Sequence, residues 1–273
     1  MPITKYVTLG GIKPYQLRKE GTMSRASVKP LSLVALIMLA VAMLPRVVSA
    51  TTTQNNESDS TISFFVGSDL IGPVDPQNPL LPVIPVGLVG SSHGGATLPN
   101  TGLTIVYASS FNFGSNDVSN KTEIYHAAPQ MLSDGTARTN YIQISDTRGT
   151  FTGWNLKVVM TEFKTSNDDL VANGHGTLAG ATVTLDDAEI QGDATANPAD
   201  KSVVTTVLNP SVQSATLIGA TAGKGTGSNL LVFGGKDGAT KNTAVTLSVP
   251  AGVAGAAAYI ADFTWILDDT PEN

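Results

Sequence analysis

The chain has 273 residues, no cysteine, 16 basic and 22 acidic side chains. Taking away the 7 bases and single acid of residues 1–50 leaves 9 bases against 21 acids, a net of −12 over the rest. A surface so charged excludes polyanion binding through a broad basic face, so no nucleic-acid partner is expected. A content of 41% apolar residues supports a core, and the length suits one all-β domain of about 200–250 residues.

In chain order, the first fifty residues read as an export signal. Gly21–Lys29 is polar and basic, Leu31–Leu44 (LSLVALIMLAVAML) is an uncharged apolar run of 14 residues, and Val48-Ser49-Ala50 places small residues where a signal peptidase reads. The run is short for a membrane span, so no transmembrane segment is expected after processing. Cleavage is expected after Ala50, with Thr51 the first mature residue; Met23 heads a signal of ordinary length as well as Met1 does. An exported chain without cysteine must hold its fold by packing alone.

Residues 51–60 (TTTQNNESDS) are polar and expected to be disordered. Residues 61–97 are expected to form a Pro-rich extended segment packed on the domain, because five prolines in Gly72–Pro85 forbid both a helix and a central strand. From residue 98 to 273 short β-prone runs alternate with Gly, Asn and Asp clusters. The runs are Leu103–Tyr107, Phe111–Phe113, Tyr141–Ser145, Asn155–Phe163, Ala181–Asp186, Val203–Leu208, Ala215–Ile218, Leu230–Phe233, Val245–Val249 and Ala258–Leu267. No convincing helical period follows residue 50. About ten short strands predict an all-β fold, a single β-sandwich or barrel-like domain.

Two strands carry the clearest alternation. Trp154, Leu156, Val158 and Met160 share one face of the first; Tyr259, Ala261, Phe263, Trp265 and Leu267 share one face of the last. Both tryptophans are thus expected on inward faces, each followed two residues later by Leu156 or Leu267. Trp154-Asn155-Leu156 and Trp265-Ile266-Leu267 resemble the paired motifs of the WxL family of Gram-positive surface proteins, in its small, single-domain form. Ile142–Leu156 (IQISDTRGTFTGWNL) resembles the region around the first motif, Phe263–Pro271 (FTWILDDTP) the C-terminal end, and Thr101–Gly114 the opening strand and its Phe-Gly turn. The resemblance implies an exported protein held non-covalently on the cell wall, with peptidoglycan as the wall component. It further implies partnership with a membrane-anchored WxL-associated protein and other WxL proteins. It implies no catalysis and no cofactor.

Asp146 and Arg148, on the connection before Trp154, are candidate ligands for a muropeptide carboxylate or amine; the structural alternative is an ion pair or turn held by Asp146. Other patterns lack the context that would give them meaning. Leu98-Pro99-Asn100-Thr101-Gly102 matches a sorting signal for covalent wall attachment, but β-rich sequence follows it instead of an apolar run and basic residues. Gly90-Ser91-Ser92-His93-Gly94 matches a nucleophile elbow, which would make the chain an exported hydrolase using Ser92, yet Pro99 and three glycines prevent the helix it needs. Gly219–Thr226 (GATAGKGT) has the wrong spacing for a phosphate loop. His93, His126 and His175 are too scattered for zinc, and Asp168-Asp169 and Asp186-Asp187 read as solvated acidic turns. Besides the wall-binding module and the hydrolase, a pure protein–protein interaction module stays open.

Overall fold

Eighteen strands and one short helix are present in a computed structural model that describes residues 61–64, 70–87, 98–99, 102–192, 197–235 and 243–271. The signal sequence, the Ala50–Thr51 bond, Thr51–Ser60, Ser92 and His93 lie outside the described residues. The strands are β1 (Leu70–Ile71), β2 (Val74–Asp75), β3 (Asn78–Pro82), β4 (Leu98–Pro99), β5 (Leu103–Ala108), β6 (Glu123–His126), β7 (Gln130–Met131), β8 (Ala137–Arg138) and β9 (Tyr141–Asp146). They continue with β10 (Trp154–Met160), β11 (Thr182–Leu185), β12 (Ala188–Gly192), β13 (Lys201–Ser202), β14 (Thr206–Leu208), β15 (Ala215–Ala220), β16 (Gly227–Phe233), β17 (Val245–Val249) and β18 (Phe263–Asp268). Between β10 and β11 lies helix α1 (Asp168–Ala172).

Three four-stranded antiparallel sheets carry the fold, in the orders β13-β15-β10-β18, β14-β11-β17-β6 and β12-β16-β9-β5. All three contribute to one hydrophobic cluster: Trp154, Leu156 and Leu217 from the first sheet, Val183 and Val245 from the second, Ile142 and Phe233 from the third. The expected class, an all-β domain, is the one found. Nine of the ten expected runs are strands; the rest of the count comes from β3, β6 and β12, which were not expected, and from six strands of two residues, too short to show a sequence period.

The third sheet is buried on both faces at its centre, in β9 and β16. Ile142 and Ile144 of β9 and Leu231 and Phe233 of β16 enter the main cluster. Tyr141, Leu230 and Val232 point the other way, into a second cluster with Tyr107 and Val74. The Pro-rich segment covers that outer face. Gln143 accepts from the Val74 amide at 2.8 Å and donates to Gly72 O at 3.2 Å. Asp75, buried, takes a two-pronged bond from Arg138, Nε to Oδ1 and Nη2 to Oδ2, each 2.7 Å. With both faces covered, β16 reads as a continuous apolar run over Leu230–Phe233, while β9 buries the polar Gln143 and Ser145 in alternation with Ile142 and Ile144. The prolines do not prevent pairing at the margin: β2 and β3 form a small hairpin, its register shifted between Val74 and Asp75.

Two expectations are corrected. Phe111–Phe113 is not a strand. Both rings do pack on the core with Asn112 exposed between them, so the alternation reported one-sided burial, but no neighbouring strand ladders with them. The helix α1 was not expected. Asn167 caps it by accepting from the Leu170 amide at 3.1 Å, with Asp168 and Asp169 in the first turn, where carboxylates suit the helix dipole. Five residues are too few for a 3.6-residue period to register.

Candidate functional site

The two Trp-x-Leu strands are hydrogen-bonded neighbours. In the β10–β18 register Leu156 stands directly opposite Leu267, and Trp265 opposite Val158. Trp154 is wholly buried; its indole N–H donates to Gly225 O at 3.0 Å, which satisfies the one polar group of the ring. Gly225 carries a φ of 77°, and a Cβ there would lie 2.5 Å from the Trp154 Nε1 and 2.3 Å from the Ala220 Cβ. The Gly219–Thr226 turn is thus the seat of the first tryptophan. Asn229, also buried, fixes it by donating to Gly225 O at 2.9 Å and accepting from the Ala199 amide at 2.7 Å.

Trp265 differs from the expectation of an inward core residue. It is half-buried, packed against the main cluster and stacked on Phe263 with centroids 6.3 Å apart. The cause is its place on an edge: β18 pairs with β10 and with no other strand among the described residues.

Asp146 and Arg148 are brought together as a clasp. Asp146 is buried at the end of β9, and its two oxygens accept from Arg148 Nε and Nη2, each at 2.9 Å. Nη2 also donates to Gly153 O at 2.8 Å, just before Trp154, and the Arg148 amide donates to Asp146 Oδ1 at 3.1 Å. The Asp146 hydrogen bonds raise the guanidinium pKa further above its ordinary value, against the opposing effect of burial. Gly153 fits because its φ is 81° and any Cβ would meet Ala220 O at 2.3 Å. Both protons of Nη2 and that of Nε are engaged internally, so the pair ties β9 to β10 and does not present an open carboxylate–guanidinium site.

The open concavity lies beside the second motif. A groove of about 1430 Å³ runs between the segment 105–118 and the segment 254–265. Its floor is aromatic: Phe111 meets Phe263 edge-on at 5.2 Å, and Phe113 meets Phe163 at 6.2 Å. One wall is braced by Tyr259, whose hydroxyl accepts from the Gly255 amide at 2.9 Å and donates to His175 O at 2.8 Å. Asp117 and Asp262, both exposed, supply the only charges among its lining residues, and neither carboxylate has a hydrogen-bond or ion-pair partner among the described residues. Sequence reading missed this groove, because its two walls are irregular segments without a period. The signal available was Phe111-Asn112-Phe113, aromatic on one side only.

Among the described residues no group of His, Asp or Glu side chains is arranged to hold a metal ion, and no helix is long and apolar enough to cross a membrane. No curated protein and no solved structure was found to match the chain. One family model matches, that of the WxL domain, described as surface cell wall-binding, over residues 51–271. With the match spanning most of the sequence and the two motifs paired across β10 and β18, the chain belongs to the WxL family of cell wall-binding surface domains.

Proposed function

We propose that this protein is exported by cleavage after Ala50 and attaches non-covalently to peptidoglycan, using the groove beside Trp265 as its contact face. The observation that carries the site is that groove: it is the large concavity adjoining the paired motifs, while the Asp146–Arg148 pair is engaged within the fold. A concave site with an aromatic floor and placed polar groups is a usual form of ligand site. Its size exceeds the roughly 300–1,000 Å³ of small-molecule pockets and suits a segment of a polymer.

Non-covalent attachment is supported by the place of the Leu98–Gly102 motif. Leu98-Pro99 forms β4, paired with β1, and Gly102 O accepts from the Thr147 amide at 2.8 Å at the entry to β5. A transpeptidase cutting there would have to work inside the fold. On this reading the protein acts without catalysis, and assembly with a membrane-anchored WxL-associated protein and other WxL proteins takes place on its remaining surface.

The test is co-sedimentation of the chain from Thr51 onward with purified peptidoglycan. Wild type should pellet, and Trp265→Ala, which opens the groove floor, should pellet at least tenfold less at equal folded concentration. Undiminished binding by a folded Trp265→Ala protein would place the contact face elsewhere.

A further inference from the structure

The groove has one wall that is not made of side chains. The Thr161 amide donates to Asp262 O at 2.9 Å, which sets the phase of the β10–β18 ladder. Hydrogen-bonded pairs alternate along an antiparallel ladder, so Val159–Thr264 and Lys157–Ile266 are bonded to β10. Phe263, Trp265 and Leu267 are the intervening positions, and their backbone N–H and C=O groups point away from β10 toward the open side. Among the described residues no ladder or loop bond engages them. The Asp262–Trp265 part of this edge borders the groove. An exposed edge of this kind is a template for an extended peptide: its main chain bonds the edge while alternate side chains enter the groove.

From this edge, together with the unpaired Asp117 and Asp262 and the absence of any basic residue from the lining, we infer that the groove binds the peptide part of the wall polymer: a short extended stem carrying a free ammonium group. This rests on the groove being the wall contact. A glycan has no main-chain donors and acceptors at strand spacing to match the edge, and it carries no cation for the two carboxylates. A stem peptide supplies amide donors and acceptors and an ammonium, as well as small apolar side chains for the Phe111–Phe263 floor. A charge-assisted bond from an ammonium to a carboxylate is among the stronger polar contacts, and it fixes the direction in which the peptide lies.

Peptidoglycan stripped of anionic polymers is the probe, in three forms: intact, with its amines acetylated, and with its peptides removed by amidase to leave bare glycan strands. Wild type should bind the intact form, lose at least tenfold on acetylated material and more on bare glycan. Asp117→Asn/Asp262→Asn should weaken binding to the intact form and lose little further on acetylation, because the same contact is already gone. Hydrogen exchange with a soluble stem peptide adds a readout independent of affinity: the amides of Phe263, Trp265 and Leu267 should gain protection, while those of Thr264 and Ile266, already bonded to β10, stay unchanged. Bare glycan binding as tightly as intact material, or no protection at the three edge amides, overturns the inference while leaving the groove as the site. If instead Trp265→Ala and the double Asn variant both bind intact peptidoglycan like wild type, the groove itself is excluded. Protection of the edge by a strand of another protein and not by the stem peptide also counts against the inference.

Discussion

At the scale of single residues the two tryptophans are not equivalent, though the motif writes them alike. Trp154 has no exposed surface and a satisfied indole N–H, so Trp154→Ala should cost roughly 3–5 kcal/mol of stability in a denaturant melt, the range for a buried large aromatic. Trp265, half-buried at an edge, should cost clearly less, about 1–3 kcal/mol, since less of its surface leaves water on folding. Gly225→Ala is a sharper probe of the same seat: it removes no contact, yet its Cβ has no room beside the indole and φ is positive, so the variant should melt well below wild type. Arg148→Ala leaves Asp146 buried with its guanidinium partner gone and should destabilise by about 3 kcal/mol or more. The same melt distinguishes a clasp from a ligand contact, because loss of a surface ligand contact would leave the midpoint unchanged.

At the scale of elements, the outer face of the third sheet makes stability depend on pH at both ends. Burial pushes the Asp75 carboxyl up, but the Arg138 fork and the Gln77 and Asn78 amides outweigh it and hold the group below its ordinary value of 3.8. A depressed carboxyl contributes stability that is complete above its unfolded pKa and is lost as pH falls through the folded one. Arg138→Ala should therefore weaken the fold at neutral pH and flatten its decline below about pH 4. Burial pushes the Tyr107 phenol from 10.0 up to about 12, against the hydrogen bond from Ser109, and raises Tyr141 further. Here the sign reverses: the stability is present below pH 10 and is lost as pH rises toward 12. Thermal melts across that window should fall in wild type and fall less steeply in Tyr107→Phe.

What the sequence made legible at this scale follows from physics. The strand β17 matches its expected bounds, Val245–Val249, β10 matches within a few residues and β18 matches from Phe263 onward, because each has one face toward the core and a more polar, less buried face opposite, so period two survives. The strand β16 shows no alternation, since its second face is covered too, while β9 keeps a polar Gln143 on its covered face, and no local pattern announces a cover that arrives from 69 residues away. Asp146 and Arg148 stand two residues apart in the sequence, close enough to read as a pair, with a ligand site and an ion pair both open. Whether it faced ligand or fold depended on Gly153 O, which only the return of the chain into β10 brings within reach. The groove was the least legible feature, being built from the irregular stretches 109–118 and 254–261.

At the scale of the molecule, residues 61–273 make one unit whose three sheets share a core and whose net charge is strongly negative. A wall rich in anionic polymer repels such a surface at long range, so attachment has to come from short contacts within a recess that meets a cation or an uncharged segment. The groove beside Trp265, with two carboxylates and an open strand edge, is where the fold offers such contacts. The most direct test of this account is the mass of the protein released from native walls by concentrated denaturant. Non-covalent attachment predicts full release at the mass of the chain beginning with Thr51, with nothing added at Thr101. Retention through denaturant, followed by release only after muralytic digestion with wall fragments joined to Thr101, would contradict it.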